Sequence, residues 1–228
     1  MQPIIIASPH PRNDSMETRL RELLPGRRVV RIVERAALNP DKIDSIKPSY
    51  IFFPHWSWRI PSQIHTQYEC VVFHMTDLPY GRGGSPLQNL IVRGHDETML
   101  TALQCVEDLD AGPIYLKRPL SLGGTAEEIL QRASDLMTDM AKQIITESPC
   151  PVVQEGSVVK FQRRRPEDSD ISSLEPLTKV YDYIRMLDGE GYPPAFIDTP
   201  TLHLEFKEAS LNGDSVVAKV LIRRKQDA

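Results

Sequence analysis

A chain of 228 residues, 40% apolar and 25% charged, is long enough for one sizeable core with a small appendage and too short for a large multidomain machine. With 27 lysines and arginines against 31 aspartates and glutamates the formal charge is −4, so no global positive field exists to hold a phosphate backbone, and no nucleic-acid partner is expected. Three cysteines, Cys70, Cys105 and Cys150, lack C-x-x-C spacing and argue against a disulfide framework or a cysteine-built zinc site.

The opening MQPIIIASPHPRND has too short an apolar run for a signal peptide, and no stretch approaches ~18 uninterrupted apolar residues. A cytoplasmic protein with no membrane partner is expected. Short apolar runs at Ile4 to Ala7, Val29 to Val33, Ile51 to Phe53 and Cys70 to Phe73 read as buried strands. Met16 to Leu24 and Pro61 to Thr66 between them read as helical, and the alternation predicts an α/β sheet. Ser85-Pro86 reads as a helix N-cap, with Leu87, Leu90 and Ile91 on one face and Gly94 as the stop. Thr98 to Val106 and Pro113 to Leu116 read as strands flanking the loop from Glu107 to Gly112. Thr125 and Glu128 form a capping box ahead of Ile129, Ala133, Leu136, Met137, Met140, Ala141 and Ile144 at helical spacing, ended by Pro149.

After Pro149 the composition shifts to Pro, Gly and the charged run Arg163 to Asp168, so a domain over 1–150 and a small C-terminal region over 151–228 are expected. That region reads as a linker, a helix from Glu175 to Leu187, and a hairpin with arms Leu202 to Ala209 and Ser215 to Arg223 joined around Asn212-Gly213. The hairpin is suited either to cover a cleft or to form the seam of a homodimer.

P-loop, G-x-G-x-x-G, H-E-x-x-H and G-x-S-x-G patterns are absent. The unusual stretch is VVFHMTDLPYGRGGSPLQNLIVRG, Val71 to Gly94: a buried strand ending at His74, a glycine-rich loop and a helix. An imidazole at a strand end donates to an oxyanion or relays a proton, although such histidines also serve structure alone. Asp110, in L-D-A-G-P-I, lies where Gly112 permits a tight turn, and strand topology can bring the two side chains together. The six histidines do not cluster at ligand spacing, so no metal is expected.

The pattern H-x-x-x-L-P-x-x-R-G-x-x-P, here His74 to Pro86, followed by L-D-x-G-P-I, here Leu109 to Ile114, resembles the formyltransferases that use 10-formyltetrahydrofolate. That resemblance implies a Rossmann-like α/β domain with a mostly parallel sheet plus a small helix and β-hairpin appendage. It implies attack of an amine on the formyl carbon, with His74 stabilising the oxyanion and Asp110 assisting proton transfer. The family usually has an asparagine two residues before the histidine, where this chain has Val72. A valine donates no hydrogen bond, and losing such a donor costs ~2.7 to 4 kcal/mol. His55 is therefore taken as the first replacement and Asn89 as the second, the alternative for His55 being packing among Trp56 and Trp58.

Phe53 to Pro61 resembles the family loop whose main chain binds the pterin, with Trp58, Arg59 and Ile60 mapping best and Val106, Glu107 and Asp108 on the opposite wall. The alternative is a core edge or a protein interface. Tyr80 and Arg82 fall on the substrate side, where Arg82 is suited either to pair with a phosphate or to staple the loop to carbonyls. FHMTDLPYGRGGSPLQNLI and YIRMLDGEGYPPAF most resemble sugar N-formyltransferases of the pseudaminic-acid type. The implied substrate is a nucleotide-linked amino sugar, a UDP-4-amino-4,6-dideoxy sugar. A glycinamide ribonucleotide or methionyl-tRNA formyltransferase-like enzyme is the alternative, as is a folate-binding module that has lost turnover.

Overall fold

The computed structural model describes residues 1–225. In chain order its elements are β1 (Ile4–Ala7), α1 (Asp14–Leu23), β2 (Val29–Ile32), α2 (Pro40–Ile46), β3 (Tyr50–Phe53), α3 (Ser62–His65), β4 (Cys70–His74) and β5 (Tyr80–Gly83). These are followed by α4 (Pro86–Val92), β6 (Glu97–Gln104), β7 (Ile114–Ser121), α5 (Ala126–Glu147), β8 (Val159–Phe161), α6 (Leu177–Arg185), β9 (Ala195–Asp198), β10 (Leu202–Asn212) and β11 (Ser215–Arg224). They divide into two compact units that interleave along the sequence. One comprises Met1–Gly83, Met99–Leu120 and Gln131–Lys160; the other comprises Gly84–Thr98, Ser121–Leu130 and the chain from Phe161.

The first unit is built on a six-stranded sheet of order β2-β1-β3-β4-β6-β7. Strands β2, β1, β3 and β4 run parallel, and β6 returns antiparallel beside β4 with His74 opposite Thr101. A parallel strand covered on both faces needs apolar residues at every position rather than at alternate ones. Ile4, Ile5, Ile6 and Ala7 of β1 meet that demand and are fully buried. Each such aliphatic side chain contributes about 1.5–3 kcal/mol by leaving water. Ile5, Ile51, Phe53, Ile60, Ile64 and Cys70 share one core cluster, and Val72 packs against it.

The sequence pattern does not reveal α2. Only Ile43 of that helix is buried, so it has no apolar stripe; the local signal is Asn39, whose side chain accepts from the Lys42 N–H, ahead of Pro40. The capping box at α5 forms as read, with the Thr125 N–H donating to Glu128 Oε2 at 2.8 Å and the Glu128 N–H to Thr125 Oγ at 3.3 Å. Met137 and Met140 are core residues.

In the second unit, β11, β10 and β9 form an antiparallel sheet in which Leu204 stands opposite Ile222 and Ile197. The hairpin turns at Asn212-Gly213, where Gly213 takes φ +57°. Helix α4 starts at Pro86, but Ser85 does not cap it: its φ is +49°, and its hydroxyl instead accepts from the Arg164 N–H at 3.1 Å. Asn89 is likewise committed to the backbone. Its amide donates to the carbonyls of Gly84, Ser85 and Gln162 at 2.9–3.0 Å, which removes it as a donor to a reacting oxygen.

Candidate active site

The apolar run Cys70-Val71 buries the start of β4, and its last residue, His74, is buried with 7% exposure. The chain then turns back through a cis Leu78–Pro79 bond and places Gly81, at φ +77°, below the imidazole. The His74 Nε2–H donates to the Gly81 carbonyl at 2.8 Å, and the same oxygen receives the Thr76 hydroxyl at 3.4 Å. Nδ1 therefore faces Asp110, whose Oδ1 lies 3.6 Å away. That separation is within ion-pair reach and longer than a hydrogen bond. The other carboxylate oxygen accepts from the Gly83 N–H at 2.9 Å. The two side chains are 9% and 11% exposed, so the pair sits largely out of water, where charge interactions are strong. Asp110 holds φ +54°, a left-handed conformation that aspartate, like asparagine, tolerates better than most residues and that suits the third position of the Asp108–Ala111 turn.

His55 follows the neighbouring strand. Phe53 stands opposite Val72 in the parallel register, so His55 and His74 each lie two residues beyond a matched pair. The His55 ring is fixed by Asn13, a fully buried residue. Asn13 Nδ2 donates to Ser8 Oγ at 2.8 Å and to Pro54 O at 3.4 Å, and it lies 3.3 Å from His55 Nδ1. Asn13 Oδ1 accepts from Ser134 Oγ at 2.7 Å. With an amide N–H against Nδ1, the ring proton resides on Nε2, and Nε2 is buried without a hydrogen-bond partner. Burial, then the charges of Arg12 and His10, push the His55 pKa down to about 3. The ring is thus a neutral donor at neutral pH. Val72, where an amide is usual in the family that the motifs resemble, packs into the apolar cluster instead.

The loops after β3 and β6 meet. Arg59 forms an ion pair with Glu107, and His65 Nε2 lies 3.6 Å from the same carboxylate. Trp56 stands edge-on to Phe53 and to Trp58, with ring centroids 5.9 and 4.8 Å apart. Ile60 faces the core, while Val106 and Leu109 expose their side chains. Among the described residues the main chain of Ser57 to Ile60 makes no hydrogen bond within the protein, and the buried Trp56 indole N–H has no partner. Asp108 closes its turn by accepting the Ala111 N–H at 3.3 Å.

Of the two expected substrate contacts, Tyr80 opens β5 and is half-buried. Arg82, two residues on, is engaged within the protein: its Nε and Nη2 donate to Gln154 Oε1 at 3.1 and 2.8 Å. Of the two alternatives for Arg82, the structure realises the loop staple. Gln154 and Asn13 were not indicated by any motif, since single amides in irregular segments carry no spacing signal. Among the described residues no cluster of three His, Cys, Asp or Glu is poised to hold a metal, and no helix is long and apolar enough to cross a membrane.

A family model described as methionyl-tRNA formyltransferase, C-terminal domain, matches residues 166–223. A solved structure titled methionyl-tRNA formyltransferase from Clostridium thermocellum is 46% identical, covering 99% of this chain and 100% of that chain with a TM-score of 0.96. The chain belongs to the formyltransferase family. Among curated formyltransferases, the methionyl-tRNA formyltransferase of Bacillus velezensis is 27% identical over 157 residues, which is 65% of this chain and 50% of that protein. The chain thus spans about half the length of that relative. A sugar N-formyltransferase from Shewanella is 14% identical over the full length of both chains, with a TM-score of 0.68, a likeness of fold alone. The α/β formyltransferase fold with a mostly parallel sheet is therefore established. The expected special closeness to sugar N-formyltransferases of the pseudaminic-acid type is not, because identity to a methionyl-tRNA formyltransferase is much higher.

Proposed function

We propose that this chain is an N-formyltransferase that moves the formyl group of 10-formyltetrahydrofolate to a primary amine, with His74 and Asp110 handling the proton. The observation that carries this reading is the buried approach of Nδ1 to the Asp110 carboxylate at 3.6 Å. An amine attacking an acyl carbon must lose a proton, and a buried imidazole beside a carboxylate accepts one without creating an uncompensated charge. Because Nε2–H is engaged by Gly81 O, proton acceptance at Nδ1 suits this ring better than donation to an oxyanion.

The residues present fit a reduced pterin. A flat ring with a donor and acceptor edge matches main-chain groups that have no partner within the protein, here Ser57 to Ile60. Trp58, Arg59 and Ile60 would hold it on one side, Val106, Glu107 and Asp108 on the other. When bound, 10-formyltetrahydrofolate supplies an electrophilic formyl carbon. The His55 Nε2–H is the proposed donor to the negative charge that develops on the formyl oxygen, in place of the amide absent at Val72.

For the acceptor, the 46% likeness to a methionyl-tRNA formyltransferase and the match over 166–223 support the amino group of methionyl-tRNA. The expectation of no nucleic-acid partner is accordingly given up. A second reading, a nucleotide-linked amino sugar, is favoured by charge. Residues 166–223 contain five lysines and arginines against eleven aspartates and glutamates, a poor surface for a polyphosphate chain.

Incubating the protein and 10-formyltetrahydrofolate with methionyl-tRNA, a UDP-linked 4-amino-4,6-dideoxy sugar, or glycinamide ribonucleotide separates the readings by mass spectrometry. A formyl increment on methionine supports the first acceptor, and one on the sugar alone supports the second. Binding of the folate with no formamide on any of the three amines and no release of tetrahydrofolate would sink the transferase reading and leave a folate-binding module.

A further inference from the structure

A buried carboxylate is useful only in one orientation, and the Asp108–Ala111 turn, which sets Asp110 at φ +54°, does not by itself aim the side chain. Aspartate tolerates the left-handed conformation better than most residues, and further contacts hold it here on both sides of the turn. Those contacts converge on Gln154. Its Nε2 donates to the Asp110 carbonyl and to the Gly112 carbonyl, both at 2.8 Å. Its Oε1 accepts the two Arg82 N–H groups. The next residue after Arg82 is Gly83, whose N–H holds Asp110 Oδ2 at 2.9 Å.

A closed ring of bonds therefore runs from the Asp110 carboxylate to Gly83, through Arg82 to Gln154, and back to the Asp110 carbonyl. Gln154 is itself anchored. Two residues earlier, Val152 exchanges two main-chain hydrogen bonds with Ile114 at the start of β7, at 2.7 and 2.9 Å. Its amide can be oriented in only one way, because both Asp110 O and Gly112 O require a donor and the Arg82 guanidinium requires an acceptor.

We infer that Gln154 is a positioning residue for the proposed transfer: clamped by Arg82, it fixes the Asp110 backbone in the conformation that aims the carboxylate at His74. The inference rests on the proposed role of that pair, and it assigns Arg82 to the same device rather than to substrate. It also assigns a purpose to the irregular segment 151–158, which by composition is only a connection.

Glutamate is the informative replacement. Gln154→Glu keeps the size and the contact to Arg82, now charge-assisted, but turns the donor that holds Asp110 and Gly112 into an oxygen facing two carbonyls. Gln154→Ala removes both halves. Two readouts are needed, one of them independent of turnover. In ¹⁵N-labelled protein without substrates, the His74 ring signals of both variants should move toward those of Asp110→Ala. In the formyl-transfer assay, kcat should fall about 100-fold while the KM for 10-formyltetrahydrofolate stays within about twofold of wild type.

Wild-type ring signals and wild-type kcat in Gln154→Glu would overturn the assignment, whatever Gln154→Ala does to folding. If Asp110→Ala itself retains full turnover, the reading of the pair fails, and the ring signals still decide whether Gln154 orients Asp110. A parallel loss of KM and kcat with unmoved ring signals would mark Gln154 as a staple of the cofactor loop and equally reject the inference.

Discussion

Two histidines leave the ends of neighbouring parallel strands, and the protein treats them in opposite ways. His74 has both ring nitrogens directed at protein oxygens, Gly81 O and the Asp110 carboxylate. His55 has one nitrogen set by an amide and the other, a buried N–H, with no partner at all. In the proposed reaction the imidazole beside a carboxylate would exchange protons, and the neutral one, kept uncharged by burial, would donate. Leaving a buried donor without a partner costs about 1–3 kcal/mol, a cost that a fold retains most readily where a ligand supplies the acceptor.

Substitutions can break that contrast. The largest effect is expected for His74→Ala and Asp110→Ala, each lowering formyl-transfer kcat by about 10²–10⁴-fold. The double variant should be little worse than the poorer single, because the two act as one unit. Steady-state kinetics with each purified variant checks this, and additive losses would separate the roles. His55→Ala is expected to lower kcat by about 10²–10³-fold, the range for one oxyanion donor. Its pH–rate profile should keep the shape of the wild type, since a ring with a pKa near 3 does not titrate near neutrality.

A smaller effect concerns stability. The folded His55 pKa, about 3, lies below its ordinary value of 6.5, so between those values the unfolded chain binds more protons than the native one. His55 thus weakens the fold progressively as pH falls from about 6.5 toward 3. Urea unfolding of His55→Phe across that window should show a shallower decline than wild type. The smallest effect lies at the opposite end of β4. Burial pushes the Cys70 thiol far up and the Cys105 thiol to about 11, whereas Cys150 is exposed. Iodoacetamide at neutral pH should label Cys150 first, as read by peptide mass spectrometry.

Much of the fold was legible because its strands are uninterrupted apolar runs and α5 carries both a capping box and a periodic face. Helix α2 and strands β5, β8 and β9 were not, because each buries too few residues to impose a period. Ser85 shows the limit of a short motif: Ser-Pro has the composition of a cap, yet a contact to Arg164 turned the hydroxyl elsewhere. At the site, His74 and Asp110 were readable from paired motifs, and the structure brings them within 3.6 Å of one another. Gln154 and Asn13 were not readable, since an amide acquires its role only from what the folded chain places around it.

Gly112 sets a hard limit on how this loop can change. A methyl group there would meet the Gln104 carbonyl oxygen at 1.8 Å, so the turn rests directly on the end of β6 with no clearance. Variation in this loop must therefore leave that turn and Val106, whose Cγ1 packs against it, untouched and work through the outward-facing Leu109.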